Sequence, residues 1–312
     1  MFKGKYSNSI SHDIMVSDSY RMESYYKAIK SKVAKGDIVV DFGAGSGVLG
    51  LMAGHCGAKK VYAIEEDPIV IEQLKHNVKL NKMENIIEYY LGSSESFIKE
   101  HSDLKVDLIL SECIGDHLFE SRMLYDFLDF INKFNVPKQI PERFEIFVYG
   151  KYIQPKKKKV KLPIKLDISK ELLPNELLDT CYFVNSNDRE EYYYKYLKSK
   201  KDHMLFDFSN IKDIKICDGG YIKSCIKFNN KPTVNDNAMV YFKVTLDKNN
   251  IMTNHPDRPN TGSHSYYQRI INLQHIDSNH IEFKIDVLKN TSGLEDSPFP
   301  NLFVGECNEE SI

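Results

Sequence analysis

"VVDFGAGSGVLG", residues 39–50, decides the fold. An apolar strand runs into a glycine-rich turn, and the turn opens a helix. Gly43, Gly45 and Gly47 fall within five residues, more than tight helix–strand packing requires, so a ligand comes close to the backbone here. Gly45-x-Gly47-x-x-Gly50 also spells the dinucleotide fingerprint.

Two acids separate the candidate ligands. Asp41 stands at the strand end, two residues before Gly43. A carboxylate there repels the pyrophosphate that a dinucleotide would seat on the helix N-terminus. It suits a cation, and S-adenosylmethionine carries both an α-ammonium and a sulfonium. Glu65, ending the second strand, can accept from two ribose hydroxyls and fits either ligand. Asp41 therefore favours S-adenosylmethionine, with a dinucleotide as the alternative.

The first half alternates. "YRMESYYKAIKSKV" has helical spacing, "DIVVDF" and "KVYAIE" are strands, and "GVLGLMAGHC" is a short helix. Asp67-Pro68 supplies an N-cap and a first-turn proline for a helix to about Leu80. "NIIEYYLG" and "VDLILSE" add strands and "LFESRMLYDFLDFINKF" an amphipathic helix. Such alternation means a parallel sheet covered on both faces. The pattern changes near "NVPKQIPERF". The strand-like "FEIFVYG", "MVYFKVTL", "YYQRIINL" and "HIEFKIDVL" then predict an antiparallel barrel or sandwich, interrupted by a helical arm at about 168–200.

Bulk properties exclude other classes. The chain has 312 residues and a formal net charge of −2, which gives no field to hold nucleic acid. No apolar run is long enough to span a bilayer, and the N-terminus lacks the apolar core of a secretion signal. The six cysteines form no Cys-x-x-Cys pair, so reduced thiols in a cytoplasmic protein are expected, with no metal site.

With Asp41 and Glu65 placed, the chain resembles a class I S-adenosylmethionine-dependent methyltransferase and, more narrowly, the protein arginine methyltransferases. "VVDFGAGSGVL" and "AKKVYAIE" match that family's cofactor motifs. "HDIMVSDSYR" resembles its N-terminal segment, "SECIGDHLFESRML" its acidic loop, and "TGSHSYYQRIINL" its threonine-histidine-tryptophan loop. The resemblance implies an α/β, doubly wound seven-stranded Rossmann-like domain followed by an antiparallel β-barrel-like domain with a helical arm. It divides the chain into capping helices (1–35), a cofactor domain (36–140) and a substrate domain (141–312) whose arm makes a homodimer.

It also implies residue roles. Tyr6 lies in the closing helix, His12 and Met15 line the cofactor, and Arg21 pairs with the cofactor carboxylate. Gly43 and Gly45 admit its methionine part, beside Asp41. Glu65 holds the ribose, and Glu95 accepts from the adenine amino group. Glu112 is the first acid of the acidic loop, and Asp18 pairs with the loop histidine. Plainer readings compete: Arg21 as a solvated helix charge, Met15 as core, and Glu95 as a first-turn acid favoured by the helix dipole. Glu112 is stronger by itself, because it directly follows an apolar strand, where doubly wound folds hold ligands.

A guanidinium is planar, protonated, and presents paired donors. Two carboxylates can clamp it and bias its charge to one side, leaving one nitrogen free to attack a methyl group. The acids Glu112 and Glu120 are one residue closer together than the family's pair. A gapless match puts Ser121 at the second position, and one helical step rotates a side chain by about 100°. Asp116 is a substitute. The later loop slips likewise, with Ser265 at the histidine position, His264 one earlier and Tyr266 in place of tryptophan. Loops absorb such shifts, which keeps His264 a candidate beside Glu112, Glu120 and Asp18.

Two further segments are outside these motifs. Lys156 to Lys159, flanked by Pro155 and Pro163, read as a solvated loop rather than a localisation signal. Tyr192, Tyr193, Tyr194 and Tyr196 cannot all face inward on one helix, so some are left for a dimer contact. The expected activity is N-methylation of arginine in a protein or peptide. The alternatives are methylation of free arginine or another small guanidine or amine, and a non-catalytic dimeric scaffold.

Overall fold

Apolar, β-branched strands build the first sheet. The protein is described here by a computed structural model covering residues 15–112, 123–153, 202–207, 220–228, 231–232, 236–254, 269–273, 275–286 and 302–307. Strands β1 (Ile38–Phe42), β2 (Lys60–Glu65), β3 (Ile87–Leu91), β4 (Leu108–Ser111) and β5 (Lys138–Ile140) run parallel in the order β3-β2-β1-β4-β5. Val39, Val40, Val61, Leu108, Ile109 and Leu110 are buried, as a sheet covered on both faces requires. The order reverses between β1 and β4, so a crevice opens at their C-terminal ends, where Phe42 lies opposite Ser111.

Among the described residues, α1 (Ser19–Lys32), α2 (Val48–His55), α3 (Val70–Leu80), α4 (Ser94–Glu100) and α5 (Met123–Phe134) surround the sheet. Asp18 caps α1, its carboxylate accepting from the Arg21 amide at 3.1 Å. Asp67 accepts from the Ile69 amide at 2.8 Å and so starts α3. Right-handed crossovers carry α2 and α3 to one face, where α1 joins α2, and bring α4 against α5 on the other. There Phe42 meets Phe127 and Phe130 edge-on, each with ring centroids 5.7 Å apart. The expected doubly wound architecture is present.

The sheet has five strands among the described residues, not seven. After Ile140 and the cis-bonded Pro141 the chain leaves it. The next strand, β6 (Arg143–Ile153), buries Phe144, Ile146 and Val148 at every second position. That period belongs to a strand with one apolar face in an antiparallel sheet. It pairs with β7 (Asp202–Asp207) and with β9 (Asp236–Asp247), whose other edge carries β10 (Asn250–Thr253) and β11 (Arg269–Asn272). A third sheet runs β13 (Leu302–Glu306), β12 (His280–Asp286), β8 (Tyr221–Lys227). The arm at 168–200 lies outside the described residues.

Helix α1 braces the two halves. Tyr20 donates from its hydroxyl to the Ile251 carbonyl of β10 at 3.2 Å, and Ser31 to the Asp247 carboxylate at 2.6 Å. The Lys32 ammonium meets the Gln139 carbonyl at 2.6 Å and the Glu142 carboxylate at 2.5 Å.

The thiol expectation fails at one pair: Cys225 and Cys307 form a disulfide. Cys225 lies in β8 and Cys307 just past β13, the two strands that flank β12, and sequence spacing carries no trace of a neighbour brought close by a third strand. No described helix is long and apolar enough to cross a membrane. Among the described residues no group of three or more His, Cys, Asp or Glu could hold a metal ion.

Candidate functional site

The glycine turn lies at the mouth of the β1/β4 crevice. Gly43, Gly45 and Gly47 have φ of +65°, +56° and +82°, the left-handed region that glycine enters without a Cβ penalty. At Gly43 a Cβ would also meet the tip of the Met123 side chain, which is flexible enough to move aside. Gly45 donates its amide to Glu65 Oε2 at 2.8 Å, and the other Glu65 oxygen takes the Asp67 amide at 2.9 Å. The carboxylate thus holds the tip of β2 against the turn, while the remaining lone pairs stay available to hydroxyl donors.

Asp41 differs from its expected role. Its side chain does not face a ligand cation but turns into the core, 1% exposed, and accepts the Gly50 amide at 2.7 Å. A Cβ on Gly50 would lie 2.9 Å from that oxygen, which explains the glycine without any pyrophosphate. Burial raises the Asp41 pKa to about 8, with the nearby Glu65 adding to the shift and the Gly50 hydrogen bond opposing it. Asp41 therefore shapes the turn as a neutral acid at neutral pH. Sequence could not show this, since the same position tolerates either direction of the side chain.

Arg21 and Glu112 come together. Asp18 starts α1 so that Arg21 faces inward, its side chain 3% exposed, and the guanidinium forms an ion pair with Glu112, 18% exposed, just beyond β4. This joins Glu112, at the end of β4, to α1. One turn along α1, Tyr25 donates to the Ser111 carbonyl at 3.1 Å, and Ser111 Oγ donates to the Phe42 carbonyl at 2.7 Å.

Tyr25, Ser111 and Met123 were not singled out in the sequence. The signal for Tyr25 was its place four residues after Arg21, on the same helical face. Glu95 stands in the first turn of α4, its side chain 75% exposed and paired with Lys99 at 2.9 Å, one turn along the helix. Met15 is half-buried ahead of the Asp18 cap. Tyr6, His12, Glu120 and His264 lie outside the described residues.

Chemically, the crevice offers a backbone cradle, one carboxylate at the end of β2 and one just beyond β4, on either side of β1, and a buried guanidinium. Such a set binds a ligand that is anionic at one end and carries hydroxyls and a cation elsewhere.

Fold and turn together are those of a doubly wound nucleotide-binding domain with an antiparallel β appendage. In sequence and fold the chain is similar to methyltransferases, protein arginine methyltransferases among them. The model of the TRM5/TYW2 methyltransferase domain matches residues 10–123. Protein arginine N-methyltransferase 6 of Danio rerio is 36% identical over 152 residues, covering 47% of this chain and 42% of that one. Ribosomal protein L11 methyltransferase of Anoxybacillus flavithermus is 41% identical over 88 residues, 28% of each chain. The matches thus span less than half of these relatives. A crystal structure of PRMT6 superposes with a TM-score of 0.66 at 20% identity, covering 95% of this chain and 98% of that one. The Trypanosoma brucei PRMT1 enzyme-prozyme heterotetrameric complex with AdoHcy gives 0.64 at 21% identity, covering 90% and 88%.

Proposed function

We propose that the protein is an S-adenosylmethionine-dependent N-methyltransferase acting on the guanidino nitrogen of arginine in a protein or peptide. The observation that carries this reading is the Arg21–Glu112 ion pair, at the lip of a left-handed glycine turn. The residues present fit the cofactor. The Gly43–Gly45 backbone, bare of Cβ, would admit its methionine part, and Arg21 would hold its carboxylate. Glu65 would take the ribose hydroxyls, and Glu95, with Met15, His12 and Tyr6, would complete the site. Asp41 supports the turn beneath them. Two structural relatives were determined with AdoHcy or SAH, the product form of this cofactor, which supports the choice of cofactor.

When bound, S-adenosylmethionine supplies an electrophilic methyl on its sulfonium. Glu112, with Glu120 as second acid, would grip the substrate guanidinium and localise its charge away from the attacking nitrogen. Asp18 with His264 would take the proton released after transfer. No strong base is needed beforehand, so alignment of the guanidinium by the acids supplies most of the acceleration. Residues 168–200 would mediate a homodimer, and a cytoplasmic location completes the proposal.

Labelled S-adenosylmethionine should be incubated with the protein and a panel of arginine-rich proteins, peptides, free arginine and small amines, with products read by mass spectrometry. Label on peptide arginine is the expected result. Label only on free arginine would overturn the macromolecular acceptor. Binding of S-adenosylhomocysteine without turnover on any member would overturn the enzyme reading in favour of a partner subunit.

A further inference from the structure

We infer that Tyr25 is a positioning residue, the outer end of a hydrogen-bond latch that sets Glu112 relative to the glycine turn. The inference rests on the methyltransferase reading above. Tyr25 and Ser111 are both fully buried. The Tyr25 hydroxyl donates to the Ser111 carbonyl, and the Ser111 hydroxyl donates to the Phe42 carbonyl. Phe42 is followed by Gly43 and Ser111 by Glu112, so two bonds in series join α1, the substrate acid and the cofactor turn.

Sheet pairing holds Ser111 on one side only, opposite Phe42 of β1. Register between β4 and β5 ends at Leu110 and Ile140, so Ser111 has no partner in β5. The following strand does not supply one either, because the Glu142 amide donates to Thr245 instead. Tyr25 takes that carbonyl. A phenylalanine would fill the same volume, but a buried hydroxyl is retained where it finds a partner. Arg21, one turn earlier, grips the Glu112 side chain while Tyr25 grips the peptide before it. The carboxylate is thereby held from both its backbone and its charged end, as a group must be whose small displacement is costly to the reaction.

Tyr25→Phe, Ser111→Ala and the double variant test the latch. The measurements are methyl-transfer kinetics, S-adenosylhomocysteine affinity and amide hydrogen exchange without ligand. The expected result is a kcat lower by about 10-fold in each single variant, with the acceptor KM and S-adenosylhomocysteine affinity within about 2-fold. The double variant should be no worse than the poorer single, because members of one chain are non-additive. Exchange should rise in residues 40–45 and 108–112 and stay unchanged in 281–285. A kcat at the parent level, additive losses, or exchange rising uniformly would overturn the latch. A parent protein with no turnover would sink the methyltransferase reading instead, and the exchange data alone would then decide the latch.

Discussion

Arg21 of α1 reaches over the end of β4 to form an ion pair with Glu112, so the charge that would anchor a cofactor carboxylate is held by the acid that would bind the acceptor. Arg21→Ala strips a nearly buried carboxylate of its cation. It should lower stability by about 2–4 kcal/mol, near the range for a broken buried pair because Glu112 is only slightly exposed. Arg21→Lys should recover part of this, since an ammonium lacks the planar fork. Urea denaturation followed by circular dichroism measures both, and an unchanged midpoint in Arg21→Ala would show the pair to be idle.

Glycines 36 and 43 form a matched pair. Gly36 has φ +98° with open space around its would-be Cβ, whereas Gly43 has φ +65° and Met123 in the way. Gly36→Ala should cost about 1–2 kcal/mol from backbone strain alone and leave S-adenosylhomocysteine binding intact. Gly43→Ala should cost a similar amount, because the flexible Met123 tip can swing aside, and abolish binding in isothermal titration. Equal binding by the two variants would remove the turn from the binding site.

Asp41 makes stability depend on pH. The folded carboxyl keeps its proton up to about pH 8, while the unfolded chain releases it near pH 4. Rising pH therefore favours the unfolded chain across that window and has no further effect above it. The limiting slope is about 1.4 kcal/mol per pH unit for one proton. Asp41→Asn keeps the shape and the acceptor for Gly50 while removing the titration. Its urea midpoint should match the parent near pH 4 and exceed it at pH 8. A parallel pH profile in the two proteins would refute the assignment.

The Cys225–Cys307 bond closes a loop between residues 82 apart in sequence. Its loss in Cys307→Ser should cost about 2–4 kcal/mol, and reductant should lower the melting temperature of the parent but not of the variant. Peptide mapping without reduction should recover the two cysteines linked.

How much of this was legible in the sequence follows from the range of each interaction. The parallel strands were visible because Val39, Val40 and Leu108–Leu110 are continuous apolar runs, and local composition suffices for that. Short β10, "NIMT", and β13, "LFVGE", were not singled out, because too few residues show a period of two. Glu65 could be placed because the end of a strand next to a glycine turn has one geometry. Asp41 could be placed in position but not in direction, since only packing behind the turn decides between crevice and core. The Tyr25–Ser111 contact depends on where β5 stops, and that is a property of sheet register, which no single segment encodes.

The brace formed by α1 has a consequence for chimaeras. An exchange of β halves with a relative at the Ile140–Pro141 junction would look modular in sequence, yet Tyr20, Ser31 and Lys32 would keep reaching for Ile251, Asp247 and Glu142 of the discarded half. A working hybrid must transplant the contacting edge of that first helix together with the strands it serves, although more than a hundred residues of foreign chain would lie between them.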